Sequence, residues 1–192
     1  MTSQYIPGDA VLPDPTIEEV SPGVFAYVQL DGSWCLNNPA FLVGANSVTV
    51  VDACATERRS RDFRGAIEKT TSNPIESLIN THAHLDHTFG NFVFRPDATI
   101  IGHSRCRTEI EAGRDGAIAN AQAFFPSVDW GAIEVESPSL TFDDELRIYV
   151  DDLELQLLYM SPAHTMTDVV VWIPERRVLI AGDLIFNQGT PF

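Results

Sequence analysis

The chain has 192 residues, of which 44% are hydrophobic and 20% are charged, and its mean hydropathy is close to zero. These values are typical of one globular domain with a sizeable core, which we predict to span residues 1–192. The 27 acidic and 12 basic residues give a formal net charge of −15, which argues against nucleic acid or an anionic membrane surface as a partner.

The sequence also lacks the usual signals of membrane and secreted proteins. It contains no run of about 18 apolar residues, and the opening M-T-S-Q-Y-I-P-G-D-A has neither a basic nor an apolar segment. The three cysteines, Cys35, Cys54 and Cys106, are widely spaced, which favours free thiols in a reducing compartment. We therefore expect a cytoplasmic protein.

Alternating apolar runs predict strands at the start of the chain. The runs at residues 24–30, 40–43 and 47–52 are rich in β-branched and aromatic side chains, and D-G and G-A-N separate them. This pattern predicts an antiparallel meander.

Helices and strands are expected to alternate over the next part of the chain. The predicted elements are a helix at about 57–69, a strand at 75–80 after the break at Asn73-Pro74, a strand at 98–102, and a helical stretch at 103–125 with breaks at Gly113 and Gly116. The second half returns to strands with the runs L-R-I-Y-V, L-E-L-Q-L-L-Y-M, D-V-V-V-W-I and R-V-L-I-A. Strands grouped around helical segments predict an α/β protein built in layers.

The stretch T-H-A-H-L-D-H at 81–87 holds three of the five histidines. Neutral imidazole and carboxylate are common ligands of zinc and similar divalent ions. In an extended loop after a strand, His82 and His84 project to the same side and can bind one ion together. Asp86 and His87 follow where a helix should begin, and they point to a second position a few ångströms away. The spacing predicts a metal site.

The stretch H-A-H-L-D-H resembles the H-x-H-x-D-H signature of the metallo-β-lactamase superfamily. V-V-D at 50–52, S-P-A-H-T at 161–165 and A-G-D at 181–183 resemble the other motifs of that family, in the same order. The resemblance implies an αββα sandwich with a dinuclear metal site at one edge of the two sheets.

The resemblance also implies a ligand set for each ion. The six matching positions are His82, His84 and His164 for the first ion, Asp86 and His87 for the second, and Asp183 as the bridge between them. Two Zn²⁺ ions are expected, with iron or manganese as alternatives, because histidine and aspartate serve all three metals.

Two neighbouring ions lower the pKa of a shared water and polarise a carbonyl group. The resemblance therefore implies a hydrolase that attacks an ester, thioester, lactone or amide of a small molecule. Asp86 would act as the catalytic residue that orients the hydroxide, in addition to binding metal. The alternative is a non-catalytic metal-binding or scaffold protein of the same fold.

The bridging position separates branches of the family. The best-known zinc β-lactamases carry cysteine or serine where Asp183 stands, whereas aspartate resembles the glyoxalase and lactonase branches, so a β-lactamase is the less favoured alternative. The stretches G-S-W-C-L-N-N at 32–38 and V-D-W-G-A-I-E at 128–134 resemble the cyclase and thioesterase proteins of aromatic polyketide biosynthesis.

That finer resemblance would place four aromatic residues in a pocket beside the metals, although core packing is the favoured interpretation for any one of them. They are Trp34, Phe124, Phe125 and Trp130.

Four further polar residues lie near the motifs. Asp52 either caps backbone N–H groups at the end of its strand or supports a ligand, and Thr167 and Asp168 either support a ligand or stabilise a turn. His103 matches no ligand motif, and we expect a structural role for it.

Family members carry a further histidine, usually in a G-H-G stretch, that completes the second metal site. All five histidines of this chain lie elsewhere, and the sequence ends at G-T-P-F. We therefore expect the 192-residue chain to be truncated at its C-terminus, with the last strand and helices of its second half missing.

Overall fold

The computed structural model describes residues 14–29 and 36–186, and two facing β-sheets make up much of this part of the chain. Seven strands form the first sheet in chain order: β1 (Thr16–Ser21), β2 (Val24–Val28), β3 (Ala40–Val43), β4 (Val48–Val51), β5 (Ile75–Ile79), β6 (Thr99–His103) and β7 (Leu140–Phe142). The strands β1 to β4 are antiparallel, so the predicted meander is confirmed, and β4 to β7 pair in parallel.

The second sheet contains four antiparallel strands in the spatial order β11-β10-β9-β8. They are β8 (Glu145–Val150), β9 (Leu153–Tyr159), β10 (Val169–Ile173) and β11 (Val178–Ile180). These strands match the four apolar runs of the second half. The strands β1 and β7 were not predicted, because β1 is exposed over nearly its whole length and β7 has only three residues.

Helices follow the strands of the first sheet. They are α1 (Glu57–Thr70), α2 (Leu85–Thr88), α3 (Asn91–Phe94), α4 (Ser104–Gly113) and α5 (Ala117–Phe124). The predicted helix at 57–69 is confirmed as α1, which Thr56 caps by accepting a hydrogen bond from the N–H of Arg59 over 3.3 Å. The predicted break also occurs, because a 3₁₀ turn at Arg114–Gly116 separates α4 from α5. None of the helices in the described part of the chain is long and apolar enough to cross a membrane.

Two apolar clusters define the layers. One cluster lies between the first sheet and the helices, where Phe63 and Ile67 of α1 and Phe94 of α3 pack on strand residues such as Val50. The other cluster lies between the two sheets, where Leu155 and other residues of the second sheet pack on the opposite face of the first. The result is the α/β sandwich that the resemblance implied.

The strand directions bring four chain segments to one edge of the sandwich. The strands β4 and β5 are parallel, so their C-terminal ends lie side by side. Both β9 and β11 pair antiparallel with β10, so they also run in one common direction. A hydrogen bond of 2.7 Å from the N–H of Val169 to the carbonyl of Thr81 joins the two sheets at this edge. The four motifs follow these four strand ends.

Candidate metal centre

Three imidazoles from two separate loops face one another at this edge. The ligand nitrogens of His82, His84 and His164 all lie within 4.8 Å of one another. His164 Nε2 is 3.1 Å from His84 Nδ1. This is close to the roughly 3.3 Å between two nitrogens on one tetrahedral zinc ion, given Zn–N bonds of about 2.0–2.1 Å. The three side chains could hold one divalent ion.

A second group shares His82 and adds His87 and Asp183, again with all ligand atoms within 4.8 Å. Asp183 Oδ1 lies 3.2 Å from His87 Nε2, and Asp183 Oδ2 lies 3.6 Å from His164 Nε2. One carboxylate therefore faces a histidine of each group, as a bridging ligand must. Asp86 lies farther out, with Oδ2 3.7 Å from His87 Nε2 and a side chain that is 20% exposed.

A single buried carboxylate orients two of the histidines. Asp52 Oδ2 accepts a hydrogen bond of 2.8 Å from His87 Nδ1 and one of 2.7 Å from the hydroxyl of Thr81. Since that hydroxyl donates to Asp52, it can accept from His82 Nδ1, which lies 3.1 Å away. In their neutral form both rings are thereby held in the tautomer whose Nε2 carries the lone pair, which is the form that binds a metal. Asp52 Oδ1 also accepts a hydrogen bond from the N–H of Thr81 over 2.7 Å. Asp52 therefore both caps a backbone N–H group and orients candidate ligands, the two roles considered for it.

The Nε2 atoms of His82 and His87 test whether the site fits a metal. Both atoms are buried, and neither has a hydrogen-bond partner. Asp183 Oδ1 lies 3.2 Å from His87 Nε2, where its negative charge raises the pKa of that ring. A buried polar atom without a partner costs about 1–3 kcal/mol, and here two such atoms point into one cluster. Bonds to a divalent ion would satisfy both, so the donor set fits a metal.

The protonation of the cluster is uneven. Burial lowers the pKa of His82 far below its ordinary value, and the neighbouring imidazoles lower it further. Burial likewise lowers the pKa of His84. For His87 burial acts in the same direction, but the negative charges of Asp52 and two other aspartates outweigh it and raise the pKa well above the ordinary value. The centre thus offers neutral nitrogens on one side and carboxylates that stabilise a cation on the other.

The loop that carries His164 is held by its own polar side chains. Asp168 accepts hydrogen bonds from the N–H of Thr165 over 2.7 Å and from the hydroxyl of Ser161 over 3.0 Å, which is turn chemistry. Thr167 connects the two loops, because its hydroxyl accepts from the N–H of Ala83 over 3.1 Å. The two residues therefore differ: Asp168 stabilises the turn, and Thr167 joins it to the histidine loop.

His103 lies apart from the cluster and has structural contacts. Its Nε2 lies 2.7 Å from the carbonyl of Asp143, its Nδ1 accepts from the N–H of Arg105, and its ring stacks on Tyr159 at 3.8 Å. These contacts tie the start of α4 to both sheets, as expected for a structural histidine.

The aromatic residues divide between core and surface. Trp130 is buried and packs edge-on against Phe89 at 5.9 Å, and Phe125 packs on the same cluster, so core packing accounts for both. Phe124 is 79% exposed. Trp34 lies outside the described residues.

Two residues that shape the cluster were not singled out in the sequence. Thr81 links Asp52 to His82, and the only signal for it is its place directly before the first histidine. Gly182 has a left-handed φ of 53°, and a Cβ at that position would lie 2.7 Å from Thr81 Oγ1. Glycine therefore lets the chain pass close to Thr81 and presents the next residue, Asp183, to the histidines.

Facing sheets with an imidazole and carboxylate cluster at one edge define an α/β protein with the fold and donor set of a metallohydrolase. Residues 32–192 match the family model of the metallo-beta-lactamase superfamily, and the chain belongs to that superfamily. The fold also resembles the crystal structure of DIM-1 metallo-beta-lactamase, with a TM-score of 0.67 at 19% identity over 88% of this chain and 69% of that one.

Two curated relatives are each about one quarter identical to the chain. The chain is 26% identical to 2,4-dinitroanisole O-demethylase subunit alpha of Nocardioides sp. (strain JS1661), over 82% of this chain and 45% of that protein. It is also 26% identical to the metallo-beta-lactamase type 2 of Elizabethkingia meningoseptica, over 90% of this chain and 63% of that enzyme. The chain thus spans about half the length of the first relative and just under two thirds of the length of the second.

Proposed function

We propose that the protein is a metal-dependent hydrolase that attacks the carbonyl group of an ester, thioester or lactone. The observation that carries the proposal is the pair of buried Nε2 atoms, on His82 and His87, that lack a hydrogen-bond partner and point into one cluster. Family membership supports a metallohydrolase in general terms.

The geometry supports a particular division of ligands between two zinc ions. The first ion would be held by His82, His84 and His164, whose nitrogens lie within 4.8 Å of one another. The second would be held by His87 and, by the family resemblance, by Asp86, whose Oδ2 lies 3.7 Å from His87 Nε2 but outside the group of ligand atoms. Asp183 would bridge the two ions.

The ions would supply hydroxide at neutral pH and polarise the carbonyl of the substrate. The residues of the chain have separate tasks. Asp52 holds the ring of His87 directly and the ring of His82 through the hydroxyl of Thr81. Asp86, which is partly exposed beside His87, can accept a proton from the attacking water and orient it toward a substrate that enters from solvent.

Metal content tests the proposal first. The purified protein should contain zinc by plasma mass spectrometry, and His84→Ala should lose both the metal and the hydrolytic activity, because it removes a direct bond to the first ion. His103→Gln is the matched control, since it changes the one histidine outside the cluster and should leave the metal content intact. Full metal content and activity in His84→Ala would refute the ligand assignment.

For the substrate, we propose an aryl or acyl thioester in preference to a β-lactam. The support is Asp183, which stands where the best-known zinc β-lactamases carry cysteine or serine. Rates should be compared side by side on an aryl thioester, a β-lactam and 2,4-dinitroanisole. The last two compounds are included because the names of the two curated relatives refer to them. Faster cleavage of the β-lactam or the aryl ether would overturn the choice of substrate.

The alternative is a non-catalytic metal-binding protein of the same fold. Its signature would be full metal content without turnover of any of the three substrates. In that case His84→Ala would change metal content alone.

A further inference from the structure

A reciprocal pair of amides closes the base of the histidine loop. Asn80 follows β5 directly and Asn91 is the first residue of α3, so the two residues bracket the loop and α2. Asn80 Nδ2 donates to Asn91 Oδ1 over 3.0 Å, and Asn91 Nδ2 donates to Asn80 Oδ1 over 2.8 Å. Both side chains are fully buried.

The second N–H of each amide reaches a backbone carbonyl. Asn80 Nδ2 donates to the carbonyl of His87 over 3.1 Å, and Asn91 Nδ2 donates to the carbonyl of Glu136 over 2.9 Å. Since an amide has two N–H donors, all four donors of the pair are used. The pair therefore binds no ligand itself and instead joins the end of β5, the end of α2 and the segment at Glu136.

These contacts hold His87 at its backbone. Its carbonyl accepts one hydrogen bond from Asn80 and a second of 3.0 Å from the N–H of Ala53. Its ring is held separately, because Nδ1 donates to Asp52 over 2.8 Å. With both ends fixed, the direction of Nε2 is determined by Asn80, Ala53 and Asp52 together.

The chain between His87 and Asn91 has little room to adjust. A Cβ added at Gly90 would overlap the hydroxyl of Ser60 and would lie 2.9 Å from the Cβ of Ala53. The segment thus packs directly on α1 and on the residue that also bonds to the carbonyl of His87. A displacement of Asn91 is therefore passed on to His87.

We infer that the pair of Asn80 and Asn91 is a positioning device for His87 and, through His87, for the second ion. The inference rests on the proposed function, in which His87 binds that ion. Among the described residues, neither amide forms a hydrogen bond with the side chain of His82, His84 or His164, the three ligands proposed for the first ion. Disrupting the pair should therefore weaken the second ion selectively and leave the first in place.

Asn91→Asp is the sharpest test, because aspartate keeps the shape but replaces the NH₂ group that donates to Asn80 Oδ1 and to the carbonyl of Glu136 by an oxygen that can only accept. In a zinc titration of the full chain, the dissociation constant of the weaker ion should rise about 10-fold to 100-fold, the typical effect of losing support behind a ligand. The dissociation constant of the tighter ion should be unchanged. Equal weakening of both ions, or of neither, would overturn the inference.

A control and a second variant separate positioning from stability. Thr49→Val removes a 2.8 Å hydrogen bond between the hydroxyls of Thr49 and Ser77, which joins β4 to β5 in the same sheet away from the histidines. It should lower stability without changing the ratio of the two affinities. If Asn91→Asp does not fold, the double variant Asn80→Leu and Asn91→Leu removes both amides, which costs less than leaving one of the two amides without the other.

A metal-free measurement distinguishes failure of this inference from failure of the proposed function. The amide proton of Ala53 bonds to the same carbonyl of His87 as Asn80 does. Its hydrogen exchange should therefore be faster in the variant than in the wild type and in Thr49→Val. An unchanged exchange rate at Ala53 refutes the positioning role. If the exchange at Ala53 is faster in the variant but the wild type binds no zinc, the proposed function is refuted. The amide pair would then still be shown to position His87.

Discussion

Replacing Asp52 by asparagine removes one buried charge and keeps the shape of the side chain. The backbone of Asp52 is left-handed, with a φ of 63°. Asparagine tolerates this conformation, so the change adds little backbone strain. The carboxylate accepts three hydrogen bonds, from the N–H and the hydroxyl of Thr81 and from His87 Nδ1. Asparagine can accept hydrogen bonds at one atom only.

The favoured orientation of the new amide follows from counting bonds. With its oxygen at the position of Oδ2 it keeps the bonds from the Thr81 hydroxyl and His87 and loses the bond from the Thr81 N–H. Bonds to a charged group contribute about 1.5–3 kcal/mol and neutral bonds about 0.5–1.5 kcal/mol. One lost bond and two weakened by about 1 kcal/mol each give a destabilisation of roughly 3.5 to 5 kcal/mol. This is a substantial part of the total stability of a typical domain.

Metal affinity should fall less than in His84→Ala. Asp52→Asn removes the charge behind the ring of His87 but leaves every proposed ligand in place, so we expect a loss of about 10-fold to 100-fold. His84→Ala removes a ligand itself and should abolish tight binding of the first ion.

Urea unfolding and zinc titration measure the two effects. Asp151→Asn is a matched control, because Asp151 is also left-handed, with a φ of 53°, and accepts hydrogen bonds from Asn46 at a turn remote from the histidines. The control should leave zinc affinity unchanged. If Asp52→Asn bound zinc as tightly as the wild type and unfolded at the same urea concentration, the carboxylate would not be what orients His87.

Three further predictions follow from single contacts. Gly182→Ala forces alanine into a left-handed conformation, which costs about 1–2 kcal/mol, and places its Cβ against Thr81. It should therefore lower both the melting temperature and the zinc affinity. Gly113→Ala is the control and should change neither, because a Cβ there meets no atom within 4 Å. Hydrogen bonds from Arg114 and Ser137 lower the pKa of Glu111 from 4.5 to about 2. The stability that Glu111 contributes is therefore fully present above pH 4.5 and is lost as the pH falls toward 2. Glu111→Gln should flatten this part of a curve of stability against pH. A calorimetric zinc titration should show two unequal sites, because in the proposed assignment three imidazoles would hold one ion and a single imidazole with carboxylates would hold the other. Two equally tight sites would contradict the assignment.

Local patterns account for what the sequence could predict. The meander, α1 and the broken helix after β6 each follow from periodicity, capping or glycine within a short window. The spacing in H-A-H-L-D-H likewise predicts which histidines share a side. These signals are local because the backbone geometry of a loop or helix acts over a few residues.

The remaining features depend on contacts between distant residues. Asn91 bonds to Glu136, 45 positions away, and nothing in the local sequence distinguishes this asparagine from one in an ordinary turn. The sequence favoured core packing for Trp130 but left a pocket beside the metals open, and its packing against Phe89 and Phe125 decided for the core. Such roles are set by tertiary packing, which composition and periodicity do not record.

Thr81 explains why the two sheets must meet correctly for either group of ligands to form. Its N–H and hydroxyl bind Asp52 at the end of β4, and its carbonyl accepts from Val169 at the start of β10 in the other sheet. A Cβ added at Gly182, the residue before Asp183, would lie 2.7 Å from the hydroxyl of Thr81. The residue directly before His82 therefore fixes the position of that histidine relative to both sheets. His82 belongs to both groups of potential metal ligands. An error in the docking of the two sheets would therefore disturb both ion positions together, because this one segment of backbone couples them.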